Sequence, residues 1–161
     1  MKKNEHQGIS FDKMILEKVN FETDPNYNFD SDQLAVSFGL NVEKYFSDEN
    51  HQLKLVLNAN VNLSGVEPSP MQIFISAAGY FTLHDKNNSG ALEEFSEIQA
   101  PTMLFPFIRE IIANLTMRTD FPPLLIPPSN VWVLLAKHNG EDDVKKKKTS
   151  VKKAAPKKTV K

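Results

Sequence analysis

The sequence predicts an α+β fold, in which a four-stranded antiparallel sheet is followed by one long and one short helix packed on one face. Four segments between residues 13 and 83 alternate apolar and polar residues with the period of a strand. Residues 105–119 repeat apolar residues with the period of a helix. Strands that come first and helices that come last are typical of the α+β class.

The four strands are predicted from alternating apolar positions. The second strand, for example, carries Leu34, Val36 and Phe38 at every other residue. Turn-forming clusters separate the segments, such as Pro68-Ser69-Pro70 between the third and the fourth. We expect the second and third strands to form a hairpin, because only a short turn divides them. The predicted strands are residues 13–22, 33–44, 52–63 and 71–83.

The helical part of the chain follows a polar loop. Residues 91–99 predict a short acidic helix, and residues 105–119 predict the long one. Pro106 falls in the first predicted turn of the long helix, where its missing N–H breaks no hydrogen bond. The apolar residues spaced along one face of this helix are Leu104, Ile108, Ile111 and Leu115.

A proline-rich segment follows the long helix. Residues 121–128 contain four prolines, which favour an extended backbone. Ser129-Asn130 is predicted to cap a short helix over residues 131–137. The apolar side chains of residues 101–135 either fill one core or leave an exposed interaction surface.

The charge pattern divides the chain. Residues 1–140 carry 10 Lys+Arg and 17 Asp+Glu, whereas residues 141–161 carry nine lysines and three acids. The first part therefore has a net charge of −7 and the second of +6. We predict a flexible N-terminus over residues 1–10, a folded domain over residues 11–138 and a disordered lysine-rich tail over residues 139–161.

Several classes of chemistry find no support in the sequence. The chain has no cysteine, so disulfides and thiolate chemistry are excluded. Its four histidines are scattered, and it has no glycine-rich phosphate loop. The first ten residues lack the apolar run of a signal peptide, and nowhere do 18 apolar residues follow one another. We therefore expect a cytoplasmic protein that is not an enzyme and binds no cofactor.

Residues 85–97 contain a partial match to a calcium-binding loop. Asp85, Asn87 and Ser89 occupy the first three ligand positions. The twelfth position is Ser96 instead of an acid, and the loop follows a predicted strand where an EF-hand needs a helix. We therefore predict no metal site here.

Two linked motifs resemble the hallmark of the SecB chaperone family. The first motif is similar to the Leu-Phe-Pro-aromatic-x-Arg-Glu run that opens the long helix of the family. The second is similar to the proline-rich run that leads into its second helix. Weaker matches lie at residues 20–25 and 78–83, and the resemblance covers about residues 11–136. The two motifs are Leu104-Phe105-Pro106-Phe107-Ile108-Arg109-Glu110 and Phe121-Pro122-Pro123-Leu124-Leu125-Ile126-Pro127-Pro128-Ser129-Asn130.

This resemblance implies a homotetramer, a dimer of dimers, that holds unfolded polypeptides without ATP and delivers them to the export motor SecA. It places apolar client-binding grooves between the second helix, the sheet and the loop after the first strand. The resemblance does not decide whether the Trp132 side chain lines a groove or lies in the core. By position, the groove residues are Leu34, Val36, Phe38, Val131, Leu134 and Leu135.

The chain departs from the family at the exposed face of the sheet, where acidic residues dock SecA. Glu22 keeps one acidic position, but Lys18 occupies another and Phe74 stands where a glutamate is expected. These differences weaken the prediction that SecA is a partner. Some SecB-like proteins are chaperones of antitoxins, so a single dedicated client is one alternative. A structural or adaptor subunit with a fixed apolar interface is another.

The lysine-rich tail has two interpretations. It is either a solubilising extension or a contact for polyanions such as membrane lipids or ribosomal RNA. Nothing in the sequence predicts recognition of a specific nucleic acid.

Overall fold

Four antiparallel strands form one sheet in the order β1–β4–β3–β2. The computed structural model describes residues 8–29, 34–49, 51–85, 87–88, 90–128, 131 and 133–135. Residues 131 and 133–135 are helical. Outside the described residues lie the N-terminal residues 1–7, the predicted cap at 129–130, Trp132 and the tail. The predicted α+β class is confirmed. The elements are β1 (Ile9–Thr23), β2 (Ala35–Ser47), β3 (Gln52–Ser64), β4 (Met71–Leu83), α1 (Ala91–Glu97) and α2 (Gln99–Thr116).

One face of the sheet, the inner face, carries the hydrophobic core. Helix α2 packs across this face on β3 and β4. The edge strands β1 and β2 are covered less completely, so several of their inner-face side chains stay partly exposed. The buried inner-face side chains of β3 and β4 are Leu53, Leu55, Leu57, Ala59, Val61, Leu63, Met71, Ile73, Ile75, Ala77, Phe81 and Leu83. Within the described residues, no helix is long and apolar enough to cross a membrane.

The bounds of β3 and β4 agree closely with the prediction, whereas β1 begins earlier than predicted, at Ile9. Its register against β4 shifts between Phe11 and Lys13 and again between Leu16 and Lys18. Each shift inserts an extra residue into β1, which is a β-bulge. A bulge reverses the alternation of apolar and polar residues. The alternating pattern therefore began only at residue 13, although the strand itself begins at Ile9.

The long helix differs from the prediction at both ends. Helix α2 begins at Gln99, six residues before the predicted start, and ends at Thr116. Pro106 therefore lies inside the helix, where it removes one backbone hydrogen bond. The helix continues through this proline because Leu104 and Phe105 are almost fully buried in the core. Burial of these side chains offsets the lost hydrogen bond.

Replacement of Gly79 by alanine is expected to destabilise the protein by about 1–3 kcal/mol. A β-carbon at this position in β4 would lie 2.8 Å from a methyl carbon of Leu104 and 2.9 Å from the ring of Phe81. Both neighbours are fully buried and cannot move aside freely. The free energy of unfolding, measured by urea denaturation, tests this expectation. Gly90→Ala is the matched control, since a β-carbon at Gly90 meets nothing within 4 Å.

Candidate polypeptide-binding site

The six predicted groove residues lie along the β2 side of the helical layer, with different exposure. Val36 and Phe38 pair with inner-face residues of β3, so both point towards the helices. Val36 is 41% exposed, whereas Phe38 is half-buried with its ring 6.2 Å from that of Phe105. Leu34 and Leu134 are also half-buried against the core.

The other two predicted groove residues, Val131 and Leu135, are buried in this chain, at 4% and 9% exposure. They form the side of the short helix after the proline-rich segment that packs against the core. The outward side of the same helix includes Val133, which is 46% exposed. The sequence did not distinguish the buried side of this helix from the exposed side. The predicted helix, residues 131–137, has only seven residues, which is too short to show a helical period.

The proline-rich segment runs beside α2 and is held there by two side chains of the helix. The Thr116 hydroxyl accepts a hydrogen bond from the backbone N–H of Leu124, 2.9 Å away. The Arg109 side chain donates through Nε to the carbonyl oxygen of Ile126 at 2.5 Å. Ile126 is buried between them, whereas Leu125 is 75% exposed. The segment therefore presents an apolar side chain to solvent from a fixed backbone.

We define the β2 groove as the exposed or half-buried apolar side chains on this side of the helical layer. Leu125 and Val133 were not among the predicted groove residues. No local signal separates Leu125 from its neighbours, because the buried residues of the extended segment depend on where α2 anchors it. The β2 groove consists of Leu34, Val36, Phe38, Leu125, Val133 and Leu134.

Replacement of Thr116 by valine is expected to lower the free energy of unfolding by about 1–3 kcal/mol. Thr116 is fully buried, and valine has the same shape but offers no acceptor to the N–H of Leu124. Urea denaturation gives the stability change, and faster hydrogen exchange of the Leu124 amide would locate it. Thr102→Val is the control, because the exposed Thr102 hydroxyl bonds only within its own helix turn, to the carbonyl of Ile98.

A second apolar surface lies on the opposite side of α2, along the free edge of β1. Leu16 and Val19 pair with buried inner-face residues of β4 yet are 44% and 37% exposed. The neighbouring helix adds Met103 and Phe107, which are 40% and 37% exposed. We call these four residues the β1–α2 face. They stay partly exposed among the described residues, and the adjoining β1 backbone edge has no partner strand there.

The outer face of the sheet carries Glu22, the predicted SecA-docking residue, together with Lys18 and Phe74, which replace expected acids. Glu22 and Lys18 pair with outer-face positions of β4, and both are exposed. The Lys18 ammonium lies 5.5 Å from the centre of the Phe74 ring. A cation on an aromatic ring therefore occupies the part of this face where two acids were expected.

The remaining acids at the centre of the outer face are engaged with neighbours. Glu17 forms an ion pair with Lys54 at 2.6 Å, and this contact raises the pKa of Lys54. Hydrogen bonds from the Tyr45 hydroxyl and the Asn58 amide hold the pKa of Glu43 below its usual value. The same bond to Glu43 raises the pKa of Tyr45. The face is therefore a mixed polar and aromatic surface instead of an acidic one.

Within the residues that the structure describes, no group of histidine, cysteine or acidic side chains is arranged to hold a metal ion. The partial calcium loop contains a local turn, in which a carboxylate oxygen of Asp85 accepts a hydrogen bond from the backbone N–H of Asn87 at 3.1 Å. Turn chemistry thus accounts for the residues described in this loop.

Comparison with known proteins places the chain in a family. Residues 3–141 match the family described as preprotein translocase subunit SecB. The protein-export protein SecB of Actinobacillus succinogenes is 32% identical over 134 residues, which cover 81% of this chain and 74% of that protein. The SecB protein of Anaplasma marginale is 34% identical over 98 residues, or 60% of this chain and 55% of the relative. The chain thus spans about half the length of this relative.

A solved structure shares the fold. It is a SecB-like chaperone of Mycobacterium tuberculosis in complex with a peptide from the HigA1 antitoxin. The TM-score is 0.59 at 15% sequence identity, and the match covers 74% of this chain and 88% of that chain. The family match extends over most of the sequence, and the fold agrees with it. The chain therefore belongs to the SecB family of preprotein translocase subunits.

Proposed function

We propose that this protein is an ATP-independent chaperone that binds unfolded polypeptides and keeps preproteins competent for export. The observation that carries the proposal is the β2 groove, in which Val36, Leu125 and Val133 are exposed apolar side chains and the segment of Leu125 is anchored to α2. Each apolar side chain of a client that becomes buried there contributes about 1.5–3 kcal/mol before ordering costs. Burial is non-directional, so such a site accepts many sequences.

The proposal includes a homotetramer built as a dimer of dimers in the cytoplasm. The β1–α2 face supports an assembly, because it combines exposed apolar side chains with an unpaired strand edge. Several grooves in one assembly would hold a long client at several points, which raises affinity beyond that of one groove. No catalytic step and no cofactor belong to this function.

The outer face of the sheet gives less support to SecA as a partner than the β2 groove gives to clients. A basic docking partner would meet Lys18 and the Phe74 ring where acids were expected, although Glu22 remains exposed. The second candidate is a chaperone dedicated to one client. The likeness to a chaperone solved with an antitoxin peptide favours this candidate over a structural adaptor.

The first experiment is suppression of aggregation. The purified protein, without ATP, is mixed with thermally denatured citrate synthase, and light scattering is followed. We expect near-complete suppression at about one assembly per client. The double variant Val36→Asp/Leu125→Asp should lose most of this activity, since it places charges in the groove. Ile15→Asp, a change of another exposed apolar residue on the outer face, should retain it.

The outcomes separate the candidates. An unchanged aggregation curve with the native protein would contradict a general holdase and favour the dedicated chaperone. If Ile15→Asp and the groove variant lost the same share of aggregation-suppressing activity, the β2 groove would not be the client-binding site.

A further inference from the structure

A cavity opens where the β2–β3 turn meets the first turn of α1. Its volume is about 460 Å³, within the usual size range of ligand pockets. Phe46, Leu83 and Leu92 form an apolar floor, and Phe46 is 47% exposed. We call it the Phe46 cavity. Its other described lining residues are Ser47, Asp48, His51, Gln52 and Glu93.

The rim of the Phe46 cavity is acidic. The exposed carboxylates of Asp48 and Glu93 lie on it, and its described lining includes no lysine or arginine. Among the described residues, neither carboxylate has an ion-pair partner. Glu97, one turn further along α1, differs because it pairs with Lys44. The cavity therefore suits an apolar group that is followed by a cation.

The described part of the chain ends near the same strand and helix that border this cavity. Leu135, its last residue, lines a second cavity together with Lys44 and Glu97. Phe46 lies two residues after Lys44 on the same face of β2, which is about 7 Å along the strand. Glu93 precedes Glu97 by one helical turn, about 6 Å along the axis. Leu135 thus lies next to residues of β2 and α1 that are each about 6–7 Å from a residue lining the Phe46 cavity.

We propose that the lysine-rich tail of the same chain binds in this cavity. Val151 enters the apolar floor, and Lys152 and Lys153 pair with the two rim carboxylates. Val151 lies 16 residues beyond Leu135, and 16 residues can span up to about 50 Å. The reach is therefore several times the distance required.

Val151 fits this role better than the other two tail valines. Val144 directly follows three acidic residues, which the rim carboxylates repel. Val160 is followed by only one lysine, whereas Val151 is followed by two. The +6 charge of residues 141–161 also complements the −7 charge of the rest of the chain.

Tethering makes so small a contact effective. One buried valine and two surface ion pairs give only weak affinity between separate molecules. A short tether holds the tail at an effective concentration in the millimolar range, so binding within one chain is populated. The contact should weaken with added salt, because both ion pairs are exposed.

The experiment compares the full chain with a chain truncated after Gly140, using methyl NMR signals of Leu83 and Leu92. We expect both signals to differ between the two chains. Glu93→Lys in the full chain should remove the difference, whereas Glu94→Lys should keep it. Glu94 is the matched control, because it is exposed on the same helix but does not line the cavity. Val151→Asn should act like truncation, and Val160→Asn should not.

A second measurement uses a synthetic peptide of residues 144–161 added to the truncated chain. The peptide should shift the same two signals saturably, and Glu93→Lys should weaken its binding by about fivefold or more. Identical signals in the full and truncated chains would overturn the proposal. Equal weakening by Glu93→Lys and Glu94→Lys would also overturn it, in favour of a general charge effect. A lower mass of the truncated chain in light scattering would show that the tail joins two copies instead.

Discussion

Replacement of Phe81 by alanine should destabilise the protein by about 3–5 kcal/mol and lower its thermal midpoint by roughly 10 °C. Phe81 is fully buried in β4 and joins three elements. Its ring centre lies 5.2 Å from that of Phe11 in β1 and 5.1 Å from that of Phe95 in α1. Alanine would leave a cavity between an edge strand and a helix, which neighbouring side chains can fill only in part. Calorimetry of the purified variant measures the change.

The control for this variant is Phe74→Ala, which removes an aromatic ring from the same strand. Phe74 points to the outer face and is only partly buried, so its loss opens no internal cavity. We expect a much smaller shift in thermal midpoint. Equal shifts for the two variants would contradict the assignment of the core to the inner face alone.

The double variant Leu16→Glu/Phe107→Glu should convert the proposed assembly into a smaller species. Both residues lie on the β1–α2 face and are already partly exposed, so glutamate is tolerated in an isolated chain. If two copies meet through this face, the variant buries uncompensated charges at their contact, and each buried charge costs several kcal/mol. Light scattering coupled to gel filtration gives the mass.

The matched control for the assembly is Tyr45→Glu. Tyr45 is 52% exposed, but it lies on β2 at the opposite edge of the sheet and points to the outer face. Its variant should keep the mass of the native protein. A native mass for Leu16→Glu/Phe107→Glu would refute the β1–α2 face as the contact, while leaving the β2 groove untouched.

Much of the fold follows from short-range patterns. The bounds of β4 match the prediction because residues 71–83 are rich in β-forming residues and follow a turn cluster. The beginning of β1 was missed, since the bulge between Phe11 and Lys13 reverses its alternation. The start of α2 was missed because Pro106 was assigned to a first turn, whereas burial of Leu104 and Phe105 carries the helix through it. Tertiary burial is not visible in a local pattern.

The candidate site was less predictable than the fold. The sequence assigned Val36 and Phe38 to one face of β2, and both lie on the inner face, because strand periodicity fixes the face. It did not indicate that Val131 and Leu135 are buried while Val133 and Leu125 are exposed. Those differences depend on where the proline-rich segment is anchored. The anchors are a threonine and an arginine at the far end and middle of α2, which no local pattern connects to the segment.

The pairing of β1 with β4 has a consequence for the order in which the chain folds. Ile9 pairs with Leu83, so the first strand to leave the ribosome has no partner until the fourth has been made. The β2–β3 and β3–β4 pairings close much shorter loops and can form earlier. During synthesis, the apolar side of β1 therefore stays unpaired for most of the time needed to make the sheet. Maturation of this protein is thus expected to end with its longest-range strand pairing.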